Sequence, residues 1–218
     1  LISAKDAEIV YVYGKNYEQT KTECANFKVE SIESDENLLI KIIRQIKNCK
    51  IKRLAIDSLN VLNWQTLASG CSKDVAIEVN DIFIESLRRI KDKDEIERMR
   101  KAGELTSEGM HAACQAIKPG LKECEIAAEI EYAMRKKGSG STAFESIVAS
   151  GNYSAFPHGG CSERAIHEGD LVVVDIGATY KFYCSDMSRT FVAGKPSAKQ
   201  QKIYNIVKEA QDATLSII

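Results

Sequence analysis

Two aspartates and a histidine are the residues in this sequence whose type and spacing could do chemistry. Asp175 ends Leu171-Val172-Val173-Val174, a run so apolar that a strand built from it should be buried on both faces. A carboxylate there is costly unless it is paired or binds a cation. Asp186 arrives in the next extended stretch. If the chain turns about Tyr180-Lys181, residues 175 and 186 face each other, and directly opposed side chains stand about 4.5–5.5 Å apart at Cβ. Two carboxylates that close either share a proton or hold a cation, and a pair of divalent ions suits such spacing. The alternative is that Asp175 caps the turn beginning at Gly177 while Asp186 pairs with Arg189; spacing alone does not separate the two. His158 lies in Ser154-Ala155-Phe156-Pro157-His158-Gly159-Gly160, a loop from which a side chain can reach a ligand. A lone loop histidine is more often merely solvated.

The elements that must position these residues follow from periodicity. Asp92 with Glu95 forms a capping box. Ile96, Met99, Gly103, Thr106, Met110, Ala113 and Ile117 then fall on one helical face, ended by Pro119-Gly120. A second helix is expected over 122–137, with Ile126, Ile130, Ala133 and Met134 inward and Gly138 as its left-handed cap. Gly138 to Ser141 reads as a flexible loop. Strands are expected over 144–150, 171–176 and 182–192, and Ser197 with Gln200 opens a last helix through Ile203, Ile206, Val207 and Ala210. Before residue 88 the texture differs. Strands at 9–13, 53–57 and 75–79 alternate with helical stretches, the first of them through Leu38–Ile46 with Ser34 or Asp35 as cap. That pattern predicts a small mixed or parallel sheet.

Composition narrows the class. The chain has 218 residues, 44% hydrophobic and 28% charged, with a net charge of −1. That is enough apolar mass for a core, and no net field to draw it to nucleic acid or an anionic membrane. No apolar run approaches the roughly 20 residues of a membrane span, and the first residues are too polar for a signal peptide. Seven scattered cysteines without a C-x-x-C pair read as reduced, mostly buried thiols of a cytoplasmic protein. The absence of an initial Met and the apolar end at Ile217-Ile218 read as two cut edges.

Several segments resemble the Xaa-Pro peptidases, the prolidase and aminopeptidase P group related to methionine aminopeptidase and creatinase. Leu87-Arg88-Arg89-Ile90-Lys91-Asp92, with Glu95-Ile96 and Met99-Arg100-Lys101-Ala102, is similar to the junction between that group's N-terminal and pita-bread domains. Phe144 to Gly151 and Pro157-His158-Gly159 resemble its substrate-side segment. Gly169 to Ala178 and Ser185 to Phe191 resemble its first metal-binding hairpin. The resemblance implies an α/β chain: a creatinase-type N-terminal α/β domain over 1–88, its start missing, then the first half of a pita-bread α+β catalytic domain over 89–218. It implies that Asp175 and Asp186 are two of five ligands to a pair of divalent ions, Mn or Co, or else Zn, with Asp186 bridging both. The other three, a His and two Glu, would lie beyond Ile218, and one of those Glu would be the general base. His158 would contact substrate near the scissile amide. The implied activity is removal of an N-terminal residue ahead of proline by a homodimer, with a 218-residue fragment inactive alone. A non-catalytic pita-bread binding module is the alternative from another class. It is disfavoured by the two intact aspartates, as is metal-free creatinase-like chemistry.

Overall fold

A computed structural model describes residues 9–80 and 82–218. The chain divides into two compact units, with the boundary after Ile90.

In the first unit, strand β1 (Ile9–Tyr13) leads through a short 3-10 turn into helix α1 (Tyr17–Glu23) and strand β2 (Lys28–Ile32). Helix α2 (Leu38–Asn48), strand β3 (Arg53–Ile56), helix α3 (Val61–Gly70), strand β4 (Ala76–Val79) and helix α4 (Phe83–Arg88) follow. The strands form two parallel pairs, β1 with β2 and β3 with β4. Ile43 and Ile46 of α2 are buried with Leu67 of α3. The cap of α2 is Asn37 rather than Ser34 or Asp35. Its side chain accepts hydrogen bonds from the backbone N–H groups of Leu39 and Ile40, two of the donors a helix start leaves unpaired.

The second unit opens with the expected capping box. The Asp92 carboxylate accepts from the Glu95 N–H at 2.9 Å, and the Glu95 carboxylate accepts from the Asp92 N–H at 2.7 Å. Helix α5 (Lys93–Ala116) runs from it, and helix α6 (Glu123–Lys136) packs against α5. The buried face of α5 is turned from the expected one. Ala102, Leu105, Thr106, Gly109, Met110 and Ala113 are buried, while Ile96 and Met99 are exposed. Small residues decide this: a Cβ at Gly109 would meet the Met134 side chain at 2.7 Å, so the helices approach where the glycine allows it.

Strands β5 (Ser141–Thr142), β6 (Ile147–Ser150), β7 (Leu171–Ile176), β8 (Ala178–Tyr180), β9 (Tyr183–Cys184) and β10 (Met187–Val192) form two three-stranded antiparallel sheets, ordered β10-β7-β6 and β5-β8-β9. The stretch 138–141, expected to be a flexible loop, is tied into the second sheet. Gly140 N–H donates to the Thr179 carbonyl at 2.9 Å, and the buried Ser139 hydroxyl bonds the Ser141 carbonyl at 2.7 Å. Helix α7 (Ala198–Leu215) closes the chain, capped by Ser197 and Gln200 as expected, with none of its residues buried.

Three expectations are corrected. Strand β7 is not buried on both faces: Val172, Val174 and Ile176 are fully buried against α5 and α6, while Leu171, Val173 and Asp175 are only half-buried. That alternation belongs to a sheet with one packed face. The thiols are unpaired but not mostly buried; Cys49, Cys114 and Cys184 are exposed and the other four half-buried. Finally, residues 91–218, expected as half of a domain, cluster as one compact unit. They close on one core, shared by α5, α6 and the sheet, and form a compact α+β unit in their own right.

Candidate metal and substrate site

Strand pairing places the first aspartate. Ile147 of β6, Asp175 of β7 and Ser188 of β10 stand opposite one another in a single row across three strands. This row lies on the open face of the sheet, because Val148, Val174 and Ile176 occupy the packed one. Asp175 is therefore not opposite Asp186. The turn is Lys181-Phe182, both left-handed at φ 45° and 72°, not Tyr180-Lys181. Two left-handed residues are what a tight hairpin requires, so Lys and Phe adopt here a conformation usually left to Asn and Gly. The pairing moves by two residues. Side chains alternate with period two, so Asp186 stays on the same face as Asp175, as a diagonal neighbour.

The two carboxylates do meet. Asp186 is raised above its ordinary value, first by burial and then by the Asp175 charge and a hydrogen bond with its carboxyl. The Ser188 hydroxyl donates to Asp175 Oδ1 at 2.6 Å. The pairing of Asp186 with Arg189 is not formed; the Arg189 guanidinium donates to the Ser188 carbonyl at 2.7 Å. Two like charges whose protonation is coupled make a site that takes up a proton or a cation. Among the described residues no third His, Cys, Asp or Glu joins them to complete a cluster.

Asp186 is set by what precedes it. Ser185 Oγ donates to the Ala102 carbonyl at 2.9 Å and contacts Thr106 Oγ1, while Thr106 Oγ1 accepts from the Ala178 N–H at 2.9 Å. Thr106 is fully buried, so this hydroxyl pair ties the hairpin to the middle of α5.

Asp175 and Ser188 also border a cavity of about 400 Å³, floored by Ile147 and Val173 and walled by Phe156 and Pro157. His158 follows that wall directly and is exposed; its side chain is not part of the cavity lining. The loop 151–161 thus carries Phe156 and Pro157 to the cavity that Asp175 borders, with His158 next along the chain.

Sequence reasoning missed the polar network beneath this loop. Glu123, Ser150, Ser162, Arg164 and Asp170 are joined by hydrogen bonds, with Arg164 and Asp170 paired at 2.7 Å. Burial raises the Asp170 carboxyl, but hydrogen bonds from Arg164 and the His167 N–H outweigh it and hold the group below its ordinary value. A carboxylate whose folded value is depressed contributes stability above its unfolded value, lost as pH falls through the folded one. Asp170→Asn should therefore cost about 1–3 kcal/mol at pH 7. The variant and the unmodified protein should converge as pH falls through and below the ordinary aspartate value. Urea midpoints across that range check it, and a constant difference would refute it.

The sequence model of metallopeptidase family M24 matches residues 97–218. An Xaa-Pro dipeptidase of Pyrococcus horikoshii is 39% identical over 211 residues, which cover 97% of this chain and 58% of that protein. Among solved structures, an Xaa-Pro dipeptidase from Bacillus anthracis superposes with a TM-score of 0.85 at 34% identity, covering 96% of this chain and 58% of that one. An X-Pro aminopeptidase from Thermotoga maritima gives 0.82 at 32%, covering 95% and 59%. The expectation of a fragment with two cut edges, ending in half a catalytic domain, is withdrawn on these matches. The likeness runs through 95–97% of this chain. The chain spans about three-fifths of the length of these relatives. No helix among the described residues is long and apolar enough to cross a membrane.

Proposed function

Because the chain belongs to metallopeptidase family M24, we propose that it serves the metal-dependent removal of an N-terminal residue standing ahead of proline. The observation that carries this reading is the Asp175–Asp186 pair on the open sheet face, at a cavity walled by the segment leading into His158. The relatives with which the chain shares 34–39% identity are Xaa-Pro dipeptidases.

Asp175 and Asp186 would hold the divalent ions, Mn or Co, or else Zn. The donor chemistry fits: two coupled carboxylates, one already disfavouring its own ionisation, gain most from a hard cation. When bound, the ions supply an acidified water and a polarised carbonyl. Other residues of the chain would shape the site. Ser188 orients the Asp175 carboxylate through its 2.6 Å hydrogen bond. The apolar floor and the Phe156-Pro157 wall offer a dry surface to a peptide. His158 would meet the scissile amide and donate to its oxygen as charge develops there. The unpaired thiols are compatible with a reducing, cytoplasmic setting, and the homodimer belongs to the same proposal.

The test is hydrolysis of Xaa-Pro dipeptides and of longer Xaa-Pro peptides by the purified protein with Mn²⁺ or Co²⁺. We expect release of the N-terminal residue that falls at least about a hundredfold on chelation. Metal-independent cleavage, or equal cleavage of Xaa-Ala peptides, would overturn the reading.

A further inference from the structure

Glu123 is a buried carboxylate that the proposed reaction does not use. It is the first residue of α6 and only 2% exposed. Its two oxygens are divided between the two ends of one loop. Oε1 accepts from the backbone N–H of Ser150 at 2.7 Å and from its hydroxyl at 2.6 Å. Oε2 accepts from the N–H of Ser162 at 3.0 Å and from its hydroxyl at 2.5 Å. Between those serines lie the Phe156-Pro157 wall and His158.

The arrangement demands a carboxylate. Four donors converge on two oxygens, which an ionised carboxyl can satisfy and an amide cannot, since its nitrogen has no lone pair to offer. Burial raises the group, but the bonds from Ser150 and Ser162 outweigh it and the net direction is downward. A helix N-terminus adds a favourable field for the charge. The loop entry is held from the other side. Arg164 donates to the Ser150 hydroxyl, and Gly151, at φ +58°, stands where a Cβ would meet the Arg164 guanidinium at 2.7 Å.

We infer that Glu123 is a positioning residue, a clasp that draws both ends of the 150–162 loop to one carboxylate and so fixes beside the cavity the segment that carries Phe156, Pro157 and His158. For its catalytic part this rests on the function proposed above; for the loop it rests on the four hydrogen bonds alone. The clasp acts on the loop and not on the aspartates, which stand on β7 and ahead of β10.

The experiment is Glu123→Gln, followed by amide hydrogen exchange and by kinetics with saturating Mn²⁺. Amides of 151–161 should exchange at least about tenfold faster, those of 171–176 and 187–192 should change less than about twofold, and Mn²⁺ affinity should be unchanged. The value of kcat should fall at least about tenfold. Combined with His158→Ala, the substitution should add little to the loss from His158→Ala alone, because both act through one side chain. Unchanged loop exchange would overturn the clasp. So would exchange that rises equally throughout 91–218, or effects of the two substitutions that multiply. Should Glu123→Gln not fold, Ser162→Ala removes one donor and must give the same pattern more weakly. If the unmodified protein cleaves no Xaa-Pro peptide, the proposed function falls, and the exchange comparison alone then decides the clasp.

Discussion

Asp175→Asn and Asp186→Asn should each lower metal-dependent Xaa-Pro hydrolysis by at least about a thousandfold, with Mn²⁺ affinity weakened at least about a hundredfold. Asparagine keeps the size and the diagonal placement of each side chain and removes only the negative charge that would hold the cations. The metal-free protein should respond in the opposite sense. Asp186 sits above its ordinary value because burial and the Asp175 charge disfavour its ionised form. Folding therefore works against that charge at neutral pH, and the penalty vanishes as pH falls below the usual carboxylate range. Removing the charge should leave the Tm of the metal-free protein unchanged or raised. Loss of function together with unimpaired stability separates a ligand from a structural aspartate. Undiminished turnover in either variant would sink the assignment of these residues to the metals.

Gly177→Ala is expected to have the largest effect on stability, about 3 kcal/mol. Gly177 joins β7 to β8, and a Cβ there would press into the Ser185 carbonyl oxygen while meeting Phe144 and Ala143 at 2.8 and 2.9 Å. A backbone oxygen cannot rotate away as a side-chain end can. Ser185 itself is held by Ala102 and Thr106 of α5, so the strain passes to its neighbour Asp186. The urea transition of the 91–218 unit should shift accordingly, and Mn²⁺ affinity should drop at least about tenfold. Gly103→Ala is the control. An added Cβ there meets nothing within 4 Å, and in a helix interior the exchange should stabilise by about 0.5–1 kcal/mol. Equal behaviour of the two variants would refute the close-approach argument.

What could be read from the sequence was mostly what is local. The capping boxes at Asp92 and Ser197 depend on residues three apart, and both are present. The same holds for Gly138, left-handed at φ 110° after α6. Strand β7 was legible as a strand, but its sidedness was not. An unbroken apolar run hides which alternate residues face the helices, and Leu171 and Val173 form an open apolar surface beside Asp175. Strand β2 and α1 were missed because Lys28, Glu30 and the polar run Tyr17–Glu23 break any clear period. The hairpin register was displaced because Lys181-Phe182 lacks the residues that normally announce a left-handed turn. Glu123 was invisible for another reason. Its partners Ser150 and Ser162 are far along the chain, and no periodicity links a helix start to both ends of a distant loop. The aspartates were legible as types, and their resemblance to a hairpin motif was stronger than any geometry that spacing supplied.

The diagonal placement of Asp175 and Asp186 also bears on how this hairpin can change length. Residues added or lost in pairs about the Lys181-Phe182 tip leave both carboxylates on the open face. A single insertion within one arm that neither the turn nor a bulge takes up would instead drive one of them among Val174 and Ile176, into the apolar core. Descendants of this segment are thus free to vary in the reach of the tip but not in the parity of its arms.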